Sequence, residues 1–322
     1  MKISFLSNII RYKSSSLRIV YYHLISDTNP EYYFKNKALS INEFRKHIKF
    51  FKKHYEIIKL EEALKICEEN KSLENKLVIT FDDGFKENYS KVAPILYDEG
   101  ISATFFMITS CIDNRDLMWR NKILLFEKHK TKNIRQILDS VSLDFNLPKI
   151  RNNQTILDWS FYVWPMKKKE QIVNKLWELI MPVKLEDYLI EKKPYCSIAE
   201  IKEMYESGFE IGSHSHTHPI FNQLNYDDFY DEIIKSGNIL SSIIGSKVRN
   251  FSYPFGNRAS EDFENKFNLK YLKKWSFLGT KNNLNNLTHN HSKWERDNLE
   301  FTNLQMKTRF LFLPIFRSLK GK

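Results

Sequence analysis

The chain has 322 residues, 42% of them hydrophobic, which suffices for one large α/β domain or two small ones and excludes a disordered chain. A net charge of +11 attracts anions of several kinds, but the lysines are spread along the sequence and no nucleic-acid motif accompanies them. Cys67, Cys111 and Cys196 are odd in number and widely spaced, so neither a disulfide framework nor a structural zinc site is implied.

No apolar run reaches the length of a bilayer span. The start, Met1 to Arg11, has a short apolar part broken by Ser and Asn and lacks the features of a secretory leader. The expectation is a cytoplasmic protein, with peripheral membrane contact through its basic termini as an option.

Residues 1–16 are basic and patchily apolar. Leu17 to His23 reads as a strand that ends in a histidine, an ordinary place for a locally hydrogen-bonded side chain. A loop with Asn29-Pro30 follows. Ser40 and Glu43 then spell a capping box, and Ile41, Phe44, Ile48 and Phe51 recur at helical spacing. Tyr55 to Ile58 is a short strand, and Glu61 to Glu69 a second helix.

Leu77-Val78-Ile79-Thr80-Phe81 predicts a buried strand, and Asp82-Asp83-Gly84 a tight turn at its end. Neighbouring side chains on an extended backbone point in different directions. The two carboxylates therefore suit different jobs, one on a cation and one free for proton transfer. The alternative is plain turn chemistry, since Asp-Gly is common in turns. A helix over 86–98 and a strand over 102–108 complete a βαβ unit, which implies parallel strands and a right-handed crossover.

Residues 111–196 break the pattern. A polar loop leads to Trp119 and Arg120, and helices are expected over 121–140, 154–181 and 184–192, with tryptophans at 159, 164 and 177. This reads as a helical insertion, 120–195, in an α/β domain spanning 17–300. Ser197 and Glu200 form another capping box.

Phe209 to Ile211 is a strand that delivers Gly212-Ser213-His214-Ser215-His216-Thr217-His218-Pro219. His214 and His218 are four apart, so a helical turn or tight loop puts both imidazoles on one side, with His216 facing away. Two histidines and a carboxylate around an open position is how catalytic zinc sites are built. The alternative is a solvated His-rich loop. Then come a helix over 226–243, a strand and turn over Val248 to Gly256, a helix over 258–267 and a strand over 270–279. An Asn-rich loop carries His289 and His291. The tail, 301–322, mixes basic and apolar residues, which fits docking against the domain better than lying on a membrane.

Thr80-Phe81-Asp82-Asp83-Gly84 and His214-Ser215-x-x-His218-Pro219 resemble the first two motifs of the polysaccharide deacetylase family, the NodB-homology domain of carbohydrate esterase family four. The resemblance spans about 17–110 and 195–300. It implies an irregular (β/α) barrel. It also implies a divalent metal, most simply zinc, on Asp83, His214 and His218, with Asp82 as general base. Tyr22-His23 is similar to the general-acid pair of circularly permuted branches, with His289 and His291 as alternatives to His23. Ser252-Tyr253-Pro254-Phe255-Gly256 is similar to the third motif, but Ser252 stands where the family has the arginine that orients the base. Arg296 is the expected substitute, ahead of Arg120 and Arg258. The resemblance makes the Phe255 N–H an oxyanion donor, groups Tyr253 with the substrate residues and lets Trp119 line the pocket or anchor the insertion. The implied substrate is an N-acetylated amino sugar in a polysaccharide or glycolipid precursor. Removal of another acyl group such as formyl, a sugar-binding protein without catalysis, and a membrane-peripheral scaffold are the rivals.

Overall fold

The computed structural model describes residues 17–33, 37–129, 132–271, 274–281, 285 and 293–311. Strand β1 is Arg18–Tyr22, β2 Glu56–Ile57, β3 Lys76–Phe81, β4 Thr104–Met107, β5 Glu210–Ser213, β6 Asn250–Ser252, β7 Ser276–Gly279, β8 Lys293–Glu295 and β9 Asp297–Asn298. Every pairing between these strands is parallel, in the order β8-β7-β6-β5-β4-β3-β1-β9, with β2 beside the start of β3. Only Arg296 separates β8 from β9. One short segment thus pairs with β7 on one side and with β1 on the other, and the sheet becomes a nearly closed barrel.

The period of two decides which side chains enter the barrel. Leu77, Ile79 and Phe81 share a cluster with Phe44, Ile48 and Phe51 of helix α1 (Ile41–His54), outside the barrel. Ile19, Val78, Phe106, Leu278 and Trp294 share another, inside it. Asp82 follows Val78 and Thr80 in this alternation and faces inward. Strands buried on both faces have to be apolar throughout, which is why β3 reads as an unbroken hydrophobic run.

Helix α1 begins at the expected cap, with Ser40 accepting from the Glu43 N–H at 3.2 Å. The box does not close, because the Glu43 carboxylate instead accepts from the N–H of Asn303 at 2.6 Å and from Lys46. The box at Ser197 and Glu200 does close and starts a helix over Ile198–Glu206. The single helix expected over 86–98 is a π-helical stretch, Asn88–Val92, followed by α2 (Ala93–Asp98). Pro94 lacks an N–H for the helical ladder, which accounts for the change of pitch before it.

Between β4 and β5 run α3 (Trp119–Lys128), α4 (Ile134–Asp144), α5 (Ile156–Val163), α6 (Lys169–Ile180) and α7 (Leu185–Lys192). They pack on an apolar cluster that includes Trp119, Trp159, Trp164 and Trp177 and extends to Leu24, Phe85 and Ile220 at the strand ends. Helix α8 (Tyr226–Ile244) covers β5 and β6, and α9 (Glu261–Lys270) follows β6. The last described helix, α10 (Asn303–Leu311), docks on α1, with Met306 and Phe310 buried. The remainder of the tail, 312–322, lies outside the described residues. Among the described residues no helix is long and apolar enough to cross a membrane.

Gly212 in β5 is a point of close approach. A Cβ there would lie 2.4 Å from the Phe106 ring and 3.2 Å from the Asn250 carbonyl oxygen. We expect Gly212→Ala to destabilise the barrel by about 1–3 kcal/mol, the usual range for overpacking. Urea unfolding measures it, and an unchanged midpoint would mean the interior gives way freely.

Candidate active site

The strand ends bring the two motifs together. Asp83 leaves β3 with φ of 72°, and its Oδ1 lies 3.4 Å from His214 Nε2 and 3.5 Å from His218 Nε2. The two Nε2 atoms are 3.2 Å apart. All three side chains are buried. Asp83 Oδ1 and His218 Nδ1 are buried without a hydrogen-bond partner. His214 Nδ1 lies 2.8 Å from the Ser252 carbonyl oxygen and must donate to it, which turns the lone pair of Nε2 toward Asp83. Burial holds the His218 imidazole down to about 4, so it is neutral and able to act as a ligand.

These donors fit a divalent cation. Tetrahedral ligands about 2.1 Å from a common centre lie roughly 3.4 Å apart, close to the separations seen here. The set is one carboxylate oxygen and two imidazole nitrogens. An orphaned buried carboxylate oxygen pointed at two lone pairs costs free energy unless a cation joins them.

The loop is held in this shape from several sides. Ser215 and His218 have φ of 68° and 55°, and Ser215 Oγ accepts from the His218 N–H at 2.9 Å. Glu232 of α8 accepts from the N–H groups of His216 and Thr217 at 2.8 and 2.9 Å. His216 faces away, as its spacing predicts, with Nδ1 2.9 Å from Thr109 Oγ1. The helical segment reaches the loop twice. Trp119 Nε1 donates to the His218 carbonyl at 2.8 Å, and Lys169 Nζ donates to Thr217 Oγ1 at 2.7 Å.

Asp82 takes a different partner. Arg296, fully buried, grips it through two parallel bonds, Nη1 to Oδ1 at 2.7 Å and Nη2 to Oδ2 at 2.8 Å. Arg296 also donates to Thr80 Oγ1 at 3.1 Å and Ser252 Oγ at 2.5 Å, and Ser252 Oγ lies 3.3 Å from Asp82. The serine in the third motif therefore leaves room for an arginine that arrives from the β8–β9 junction. Arg258 is committed elsewhere, to Glu264 and Glu295. Arg120 lies over the Phe255 ring at 5.3 Å. Burial by itself raises the Asp82 pKa, but Arg296 first and then His214 outweigh it, so the carboxyl is held below its ordinary value.

His23 directly follows β1, which ends at Tyr22, one residue before the strand end that the sequence suggests. Its Nδ1 lies 3.0 Å from Glu300 Oε1, which also accepts the His23 backbone N–H at 2.7 Å and the Tyr33 hydroxyl at 3.1 Å. Burial lowers the imidazole's pKa, while Glu300 and, more weakly, Asp83 and Asp82 raise it, and the net shift is upward. Glu300 was not legible beforehand: it lies 277 residues from His23, and no motif marks it. His289 and His291 lie outside the described residues.

Phe255 has φ of 56°, and its ring packs on His218 at 4.6 Å and on Trp119 and Phe161. Of the two readings of Trp119, burial favours the anchor: it has no exposed surface and donates to the His218 carbonyl. One expectation needs correcting. Tyr253 is buried among Phe221, Phe251 and Phe277, because the strand's alternation turns Ser252 inward and its neighbours out toward the helices.

A family model described as polysaccharide deacetylase matches residues 69–141 and 180–272, just over half of the chain. The chain belongs to the polysaccharide deacetylase family. A curated relative, the putative polysaccharide deacetylase YxkH of Bacillus subtilis, is 27% identical over 144 residues, 44% of this chain and 50% of that one. The chain thus spans about half the length of the curated relative it matches. Among solved structures, the Streptococcus pyogenes deacetylase PplD in complex with acetate aligns with a TM-score of 0.58 at 15% identity, over 89% of this chain and 93% of that one. IcaB from Ammonifex degensii aligns at 0.55 and 16%, over 88% and 91%. At such identities the likeness is one of fold, and it agrees with the (β/α) barrel described above.

Removing Arg296 would strand a buried carboxylate. We expect Arg296→Ala to cost about 3–5 kcal/mol, as breaking a buried ion pair does. Arg296→Lys keeps the charge but loses the two-pronged grip, so it should recover only part of this. Denaturant unfolding of both variants decides the point, and an unaffected Arg296→Ala would show that Asp82 is not held by this pair.

Proposed function

We propose that this chain hydrolyses the N-acyl bond of an amino sugar, removing an acetyl group from a polysaccharide or glycolipid precursor. Asp83, His214 and His218 hold a divalent metal, zinc by the chemistry of the donors. Bound there, the ion supplies Lewis-acid polarisation of the acyl oxygen and acidifies water. The observation that carries the reading is the split between two adjacent carboxylates, Asp83 turned to two imidazoles and Asp82 turned to Arg296.

Asp82 accepts the proton that the attacking water gives up. Arg296 keeps it ionised and fixed in orientation. His23 protonates the leaving amine. Glu300 holds the ring at Nδ1 and so fixes its orientation. The Phe255 N–H, carried over from the third motif, donates to the negative oxygen that develops on the acyl group. Arg296 also removes the main argument for a sugar-binding protein without catalysis, which was the missing motif arginine. The three cysteines, buried and unpaired, suit a reducing compartment and support a cytoplasmic setting.

Metal analysis of purified protein, with mass-spectrometric assay of N-acetyl and N-formyl amino sugars, tests this. Asp83→Ala and His214→Ala should lose both metal and hydrolysis. Asp82→Asn should keep the metal and lose about 10²–10⁴-fold in turnover, the usual worth of a general base. Full turnover in Asp82→Asn would remove it from that role. Release of formate alone would change the acyl group and leave the hydrolase reading standing.

The acid must be protonated to work, so activity is lost as pH rises through the His23 pKa. Glu300 raises that pKa. Glu300→Gln should therefore move the basic limb of the kcat/KM profile to lower pH. It should also cost more stability below about pH 6.5, the ordinary histidine value, than above the raised one. A basic limb that stays in place would exclude His23 as the titrating acid.

A further inference from the structure

Three arginines compete in the sequence for the base, and the structure gives Asp82 to Arg296 and commits Arg258 to Glu264 and Glu295. Arg120 is placed differently, in the first turn of α3. The residue before it, Trp119, donates to the His218 carbonyl, so this turn is tied to the loop that carries two of the three metal-ligand candidates. The Arg120 guanidinium stands 5.3 Å over the Phe255 ring, and that ring packs on the His218 imidazole at 4.6 Å. Burial lowers the Arg120 pKa while Asp83 raises it, and burial first, with Arg120 more weakly, lowers that of His218. The guanidinium is therefore within electrostatic reach of both ligands.

Position makes the residue reachable. Asp83, His214 and His218 are buried, whereas Arg120, Phe255 and His23 are each partly exposed. A molecule whose acyl group is to meet the three ligands comes in past partly exposed groups such as these. Phe255 supports the guanidinium through its ring, and an aromatic ring answers the charge of an arginine without using its N–H donors. An arginine stays charged at any working pH, and its fork of donors matches a carboxylate or a phosphoryl group. A neutral hydroxyl would accept from the fork without answering the charge, which partial burial beside a cation site makes costly. The net charge of +11 draws acidic molecules toward the chain as a whole.

We propose that Arg120 binds an acidic group, carboxylate or phosphoryl, on the amino sugar, so that the substrate is an anionic sugar and not a neutral one. The proposal rests on the hydrolase reading given above and narrows its substrate. The helical segment then has a place in recognition. It supplies the arginine, and the Trp119 bond fixes that arginine relative to His218. Phe161 of α5, from the same segment, packs on Phe255 at 5.0 Å and so holds the ring on which the guanidinium rests. Because the acidic group is met by the protein and not by the metal, the preference survives without the ion.

Calorimetric titration of the full chain, with its metal and again after chelation, tests this. The probes are N-acetylglucosamine, its 1-phosphate and its uronic acid. One or both acidic sugars should bind about ten- to a hundredfold more tightly than the neutral one, the usual worth of a charge-assisted hydrogen bond, and chelation should leave that ratio standing. Which acid is preferred tells a phosphoryl from a carboxylate partner. Arg120→Gln should bring the ratio close to one, and Arg120→Lys, which keeps the charge and loses the fork, should restore part of it. Melting curves of both variants check the fold. Equal binding of the three sugars, a ratio that vanishes with the metal, or an undiminished ratio in Arg120→Gln would overturn the proposal. Mass-spectrometric assay of the same sugars keeps the two readings apart. Hydrolysis with no acidic preference removes this inference alone, whereas the preference without hydrolysis of any acylated sugar keeps the subsite and removes the reaction.

Discussion

A guanidinium and a carboxylate lie together inside a barrel whose apolar lining includes Ile19, Val78, Phe106, Leu278 and Trp294. Such a pair is costly to bury, because each ion gives up several kcal/mol of hydration that mutual attraction only partly returns. Well-packed hydrophobic residues would stabilise the interior at least as well. The cost is tolerable because every oxygen of Asp82 and several donors of Arg296 find partners, among them Thr80, Ser252 and the Gly279 carbonyl. The pair sits at the seam where β8 and β9 close the barrel, so closure of the sheet brings Arg296 to Asp82. A chain that failed to bring Arg296 between β7 and β1 would lose both.

The neighbouring carboxylate shows how environment assigns roles to identical side chains. Asp82 is the last inward position of a strand, and Asp83 is the first residue past it, in a left-handed conformation. Asp83, Ser215, His218 and Phe255 are all non-glycine residues with positive φ, and all four surround one site. Each conformation costs of the order of 1–3 kcal/mol and persists only when its surroundings enforce it. Glu232 enforces the histidine loop from α8, and Trp119 and Lys169 enforce it from the helical segment. Those helices thus stiffen the ligand loop from behind, whatever else they contribute.

Local chemistry was what the sequence made legible. Strand-to-turn transitions at 77–84 and 209–219 announce themselves through apolar runs that stop at carboxylates or histidines. Parallel pairing followed from the βαβ order, and the barrel followed from the family resemblance. Partners distant in sequence were harder to find. Arg296 could be nominated because Ser252 left a vacancy in a known pattern, whereas Glu300 filled no vacancy and went unseen. Tyr253 was misplaced for a reason the sequence contained: once Ser252 faces inward, the period of two sends Phe251 and Tyr253 outward. Trp119 was undecided because an aromatic beside a polar loop fits a pocket wall and a core anchor equally well, and only its burial separates them.

The same logic of position separates two kinds of charge in the molecule. Buried charge gathers at the carboxyl ends of the strands, where Asp82, Asp83, Arg296 and the two histidines constrain one another at distances below 4 Å. Charge on the outer helices is of another kind, with Lys49 and Lys53 exposed along α1. Fixed charges without water around them orient reacting atoms and cost stability. Solvated lysines cost little and act at longer range on whatever anionic surface comes near. A barrel suits this division because its strand ends collect the buried charge while its outer helices carry the solvated charge.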